Sequence, residues 1–202
     1  MLGTIQTEVL APSLNEAMEA ASLAVSAAGA DGQGHLTVDI RADRAVLRLQ
    51  SAEAGWVTGR DIRLAHRVSG ALGARGLHTT PGNGSVQMLE IAIDALDIPA
   101  VRPFWKAITG YAEEPGSELP AALIDPSGRG PAIWFQQMDA PRPQRNRIHI
   151  DVDVPAEGAA ARIDAALAAG GRLLSDRRAP AYWVLADPEG NEACICTWQG
   201  RD

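Results

Sequence analysis

Lysine is almost absent from this chain: Lys106 is the only one among eighteen basic residues, and the rest are Arg. The arginines are scattered rather than gathered, and the formal net charge is -7. The sequence therefore lacks the electrostatic footprint of a phosphate-backbone reader and any basic amphipathic helix for a membrane surface. Neither nucleic acid nor membrane is expected as a partner; a small neutral or mildly acidic molecule is. No apolar run approaches membrane-span length. Met1 to Leu10 has neither a charged leader nor a long apolar stretch, which reads as no signal peptide. Cysteine is limited to Cys194 and Cys196. Two apart in a strand pattern, they share a face but suit no ordinary disulfide, a usage that fits a reducing cytoplasm. Missing too are a Ser-His-Asp order, a Gly-rich phosphate loop and zinc-knuckle spacing, and His66 and His78 have no partners at a diagnostic distance.

What is present is enough apolar residue, 46% of 202, to build one generous core or two small ones. Thr4 to Leu10 alternates as a strand. Ser13, with Glu16 three residues on, reads as a capping box opening an Ala-rich helix to about Ala28. Leu36 to Ile40 and Ala45 to Leu49 alternate around a polar turn and should pair as a hairpin. Thr58 with Asp61 starts a second helix, whose apolar positions are read as Ile62, Ala65, Val68, Ala71 and Leu72. A small β-α-β-β-α domain over 1–78 follows. Thr79 to Ser85 collects turn-forming residues without periodicity and reads as a linker.

The remainder, 86–202, repeats itself. Glu90-Ile91-Ala92-Ile93-Asp94 is answered by His149-Ile150-Asp151-Val152-Asp153, each a strand followed by a Pro and an amphipathic helix. Asp125-Pro126-Ser127-Gly128 is answered by Asp187-Pro188-Glu189-Gly190, each leading into a last strand, Ala132 to Met138 and Glu192 to Trp198. Asp-Pro-x-Gly suits a tight reversal, because Pro fixes φ and Gly accepts positive φ.

This repeat, with Phe104, Trp105, Gly110 and Tyr111 in its first helix region and Arg145 to Asp151 opening its second half, resembles the glyoxalase-like (vicinal oxygen chelate) superfamily. The resemblance implies an α+β fold in which paired βαβββ modules curl into a cup. It also implies a divalent metal, zinc, iron, manganese or nickel, held by first-strand and last-strand residues of each module. Carried over by position, these are Glu90 and His149 on the first strands. Trp134 or Gln136 fills the last-strand slot of the first module, and Cys194 stands where a glutamate is usual, with Glu192 two residues earlier. Glu90 and His149 are expected to face one another as a catalytic pair, and Glu90, His149 and Cys194 to ligate the metal. Trp134, Gln136, Trp183 and Glu192 are expected to line the substrate site, with Tyr182 and Trp198 also on cup strands. Core packing is the bland alternative for the aromatics, and a buried apolar role for Cys194.

The first domain is similar, over Val46 to Ala65, to pterin carbinolamine dehydratase. Where that resemblance expects imidazoles, the chain has Gly34, His35 and Ala52, with Asp61 opening the last helix, so His35 and Asp61 are the remnant of a site that has lost most of its acid-base groups. The expected function is a glyoxalase-like enzyme acting on a small cyclic or carbonyl-bearing molecule by lyase or isomerase chemistry. The alternatives are a non-catalytic sequestering protein and a residual dehydratase. A homodimer is expected.

Overall fold

Ser13 opens α1 (Leu14–Ala28), its hydroxyl oxygen accepting from the Glu16 N–H, and Thr58 opens α2 (Gly59–Gly73) in a complete capping box with Asp61. Both helix starts are local chemistry, satisfying backbone donors that the first turn leaves unpaired. The structure is a computed structural model that describes residues 3–81, 89–115, 122–142, 144 and 147–201, and its chain divides into two units, the first of 1–88 with 115–118 and the second of 89–114 with 119–202.

In the first unit, β1 (Ile5–Leu10), β2 (Leu36–Arg41), β3 (Arg44–Leu49) and β4 (Thr79–Thr80) form one antiparallel sheet in the order β2-β3-β1-β4. The buried face of α1 is alanine throughout, Ala17, Ala20, Ala21, Ala24 and Ala28, so the helix can lie close against α2 and the sheet. The inward face of α2 is Asp61, Leu64, Val68 and Leu72; Ile62, read from periodicity as a core position, is half exposed. The cap sets that phase, because Asp61 must turn inward to reach Thr58. Thr79 and Thr80, read as linker, instead pair with Val9 and Glu8, since two β-branched residues suit an edge strand. Residues 82–88, with the rest of the expected linker, lie outside those described.

The second unit is α+β and contains two βαβββ modules. The first runs β5 (Glu90–Ala95), α3 (Ile98–Thr109), β6 (Ala112–Glu113), β7 (Leu123–Ile124), β8 (Ala132–Gln137). The second runs β9 (Ile150–Asp153), α4 (Ala156–Ala168), β10 (Arg172–Arg178), β11 (Tyr182–Ala186), β12 (Glu192–Cys196). The sheet orders match, β5-β8-β7-β6 and β9-β12-β11-β10, and in each the first strand lies parallel to the last. Both Asp-Pro-x-Gly turns form, with Gly128 and Gly190 at φ 67 and 95. In each the Asp carboxylate accepts from backbone N–H groups of its own turn. One core serves both modules, with Phe104, Ile108, Leu123 and Ile133 joined to Leu185, Ala193 and Ile195. Among the described residues no helix is long and apolar enough to cross a membrane.

Candidate active site

Strand alternation sorts the side chains of the second unit into two faces. Ile91, Ile93, Ile133 and Phe135 in the first module, and Ile150, Val152, Ala193 and Ile195 in the second, turn into the core. The opposite face of the first module therefore carries Glu90 beside Ala132, Ala92 beside Trp134, and Asp94 beside Gln136, in register. That of the second carries Asp151 beside Cys194 and Asp153 beside Cys196, with Glu192 two residues before Cys194.

His149, one residue before β9, joins this second row. Its Nε2 lies 3.3 Å from Asp151 Oδ1, and both side chains are about half exposed, whereas Cys194 is buried. The donor atoms of His149, Asp151 and Cys194 all lie within 4.8 Å of one another, and no other such group of His, Cys, Asp or Glu occurs among the described residues. Burial, then the hydrogen bond to Asp151 and that carboxylate's charge, push the Cys194 thiol up to about 12. Burial and the charges of Asp151 and Asp153 also raise Cys196. An imidazole, a carboxylate and a thiol form a donor set that fits zinc or iron. Glu90 is not in the group. His149 lies with Asp151 and Cys194 on its own module's β9 and β12 pair, and no ion pair joins it to Glu90 among the described residues.

Glu90 instead lines a cleft of about 810 Å³ whose walls come from both modules. Ile91 and Ile93 from β5 and Ile150 from β9 supply apolar surface, with Trp105 behind them. Glu90 comes from the first module and Glu192, almost fully buried, from the second. Arg142 and Arg147 stand at the same cleft, Arg142 3.6 Å from the Asp94 carboxylate. One end is pinned by the second Asp-Pro-x-Gly turn. The Glu189 carboxylate accepts from the N–H groups of Leu96 (2.9 Å) and Asp97 (2.6 Å), and Asp187 accepts from the Trp105 indole (3.0 Å).

The aromatic expectations divide. Trp134 lies on the face turned from the core and is 38% exposed, and Gln136 is exposed beside it, but neither lines the cleft. Trp183 pairs with Ile195 and packs against the core, so it does not face a ligand; its strand phase is set by Leu185, two residues on and fully buried. Trp198 falls beyond the end of β12 and is 75% exposed. Asp151 was not singled out beforehand, although its place two residues after His149 in an alternating strand was a readable signal.

In the first unit, His35 Nδ1 and Asp61 Oδ1 are 2.8 Å apart, and Asp61 is fully buried. Its other oxygen accepts from the N–H and hydroxyl of Thr58, both at 2.7 Å. Burial acts to raise the Asp61 pKa, but the bonds from Thr58 and His35 outweigh it and hold the group below the usual carboxylate value.

A family model described as a glyoxalase-like domain matches residues 90–196. No curated protein matches the chain. Similar solved structures include a glyoxalase/bleomycin resistance protein/dioxygenase family enzyme from Burkholderia phytofirmans, 21% identical with a TM-score of 0.41, over 54% of this chain and 95% of that one. A glyoxalase-related enzyme from Fulvimarina pelagi is 20% identical with a TM-score of 0.41, over 55% of this chain and 88% of that one. A fosfomycin resistance protein from Mesorhizobium loti is 9% identical with a TM-score of 0.45, over 55% and 91%.

Proposed function

Because the chain belongs to the glyoxalase-like domain family, which its residues 90–196 match, we propose that the second unit binds a small cyclic or carbonyl-bearing organic molecule between its two modules and transforms it by lyase- or isomerase-type proton transfer. The observation that carries this reading is the cleft of about 810 Å³, with apolar walls and two carboxylates from each module, Glu90 and Asp94 from the first and Glu189 and Glu192 from the second. Isoleucines and an indole exclude water from the body of a ligand, which strengthens polar contacts at its edges. Glu90, exposed on β5, is the group that takes or returns a proton, a role that contributes about a hundredfold to ten-thousandfold in rate. His149, Asp151 and Cys194 would hold a divalent metal, which when bound polarises a carbonyl oxygen.

The rival reading is sequestration without turnover. It is favoured by Cys194, whose thiol, at about 12, stays protonated at neutral pH and offers no base on the last strand. Titration of a panel of small carbonyl compounds against wild type and Glu90→Gln separates the two. Proton transfer predicts turnover that falls by about a hundredfold or more in the variant with binding kept. Saturable binding with no turnover in either protein would overturn the enzyme reading.

The first unit is read as a degenerate pterin carbinolamine dehydratase-like domain, supported by its β-α-β-β-α order and by the His35–Asp61 pair. Gly34 and Ala52 supply no ionisable group, so no dehydratase turnover is expected. A twofold homodimer in the cytoplasm completes the proposal.

A further inference from the structure

We propose that two copies of this chain meet through the first unit, β2 of one pairing antiparallel with β2 of the other about a twofold axis at Val38. This gives the homodimer proposed above a surface and rests on that reading alone, not on the cleft or on any ligand. β2 is an edge of its sheet among the described residues, and its six residues pair with β3 in unbroken register. The Gln50 N–H donates to the His35 carbonyl, so alternation turns the N–H and C=O groups of Leu36, Val38 and Ile40 away from β3. Those groups are an open template for another strand. Two other edge strands are blunted: β4 is two residues long, and β10 is interrupted by two register shifts.

The side chains beside the β2 edge are apolar. Leu36, Val38 and Ile40 share the helix-bearing face with Leu49, Leu47 and Ala45, and Ile40 is 38% exposed there. α1 lies over β2 and β3, and α2 toward β4. One flank of α1, Leu23 and Ala27, packs against the core to which α2 contributes Leu64 and Val68. By helical phase Leu14, Met18 and Val25 lie on the opposite flank, on the β2 side, and each is more than half exposed. Glu16 and Glu19 are turned away from that flank by the same phase. A contiguous apolar stripe of this kind marks an interaction site, whereas apolar residues scattered singly do not.

A second copy fits the stripe because the stripe is self-complementary. β1 and β2 both run antiparallel to β3, so α1, returning from the end of β1 to the start of β2, runs against β2. Leu14 therefore stands at the Ile40 end and Val25 at the Leu36 end. With Val38 on the axis, Leu36 of one copy lies opposite Ile40 of the other, and the same axis sets Leu14 toward Val25 and Met18 toward the small Ser22. Thr37 then faces Asp39, a hydroxyl beside a carboxylate. The neighbouring register, with residue 39 on the axis, would set Asp39 against its own copy, and like charges directly opposite are destabilising. An isologous contact of this type closes as a dimer and covers both β2 edges at once.

The test is sedimentation equilibrium of the full chain from low to high micromolar concentration. The expected result is a dimer whose dissociation constant rises by about tenfold or more in Ile40→Lys and in Met18→Lys. Leu174→Lys, at a half-exposed position on β10 of the second unit, should leave it unchanged. Lysine suits an edge strand and an exposed helix position, and thermal melts identify any variant that fails to fold. The register is checked separately by cysteine pairs. Thr37→Cys with Asp39→Cys places the two thiols in a non-hydrogen-bonded pair with Cα atoms about 4.5 Å apart, within disulfide reach, so oxidation should give a covalent dimer. Thr37→Cys with Arg41→Cys should not cross-link. A dimer that survives both lysine variants, one that Leu174→Lys dissolves, or cross-linking by the second cysteine pair and not the first would overturn this surface and leave the homodimer standing. A wild type that stays monomeric at high micromolar concentration would overturn both.

Discussion

The indole N–H of Trp105 donates to the buried carboxylate of Asp187 at 3.0 Å, tying α3 of the first module to the Asp-Pro-x-Gly turn of the second. The same carboxylate accepts from Glu189 N–H, Asn191 N–H and the Asn191 side-chain amide, so one group organises a turn and joins two modules. Trp105→Phe removes the donor and shrinks a buried ring, and it is expected to lower stability by about 1–3 kcal/mol. Asp187→Ala should cost more, because it strands the indole and two backbone donors at once. Urea denaturation of both variants checks the order; equal losses would contradict it.

Gly171 is held by contact with the other module rather than by its dihedral angles. A Cβ there would fall 2.5 Å from Phe104 Cδ2 and 2.7 Å from the Ala166 carbonyl oxygen. Gly171→Ala should therefore destabilise by about 1–3 kcal/mol through overpacking. Gly158, within α4 and with nothing near its missing Cβ, is the control: its change to Ala should be neutral or stabilising by up to about 1 kcal/mol. Melting curves of the two variants decide it, and a harmless Gly171→Ala would contradict the packing described.

Asp61 links the first unit to pH. Its folded pKa lies below the ordinary 3.8, so the unfolded chain takes up the proton more readily than the folded one. The stabilisation is complete above 3.8 and fades as pH falls through the lower folded value. Asp61→Asn should be less stable than wild type at neutral pH, and the gap should narrow in acid. Urea melts at neutral pH and at pH values below 3.8 measure both gaps; a gap that stays constant would contradict the linkage.

Much of this architecture was legible in advance because its signals are local. The caps at Ser13 and Thr58, the alternation of β5 and β9, and the two Asp-Pro-x-Gly turns each lie within a few residues of chain. The structure departs from the reading where a distant partner decides. Ile62 and Leu64 both suit a helical stripe, and the inward turn of Asp61 chooses Leu64. Thr79 and Thr80 have no periodicity of their own, and β1 makes them a strand. Trp183 alternates correctly, but its face follows from Leu185 and Ile195 in the core. Glu90 and His149 hold equivalent places in the repeat, but equivalence says nothing of a residue's other neighbours, and the β9 and β12 register gives His149 two of them, Asp151 and Cys194.

The claim that matters most is that a small molecule occupies the cleft between the modules, and the Trp105 indole resonance together with the methyl resonances of Ile91, Ile93 and Ile150 reads it directly by NMR. Titration of metal-free protein with small carbonyl compounds should shift these signals saturably and together, leaving those of the first unit in place. Shifts confined to Trp134, Trp198 or the first unit, or no saturable shift at the cleft residues with any compound, would contradict the account.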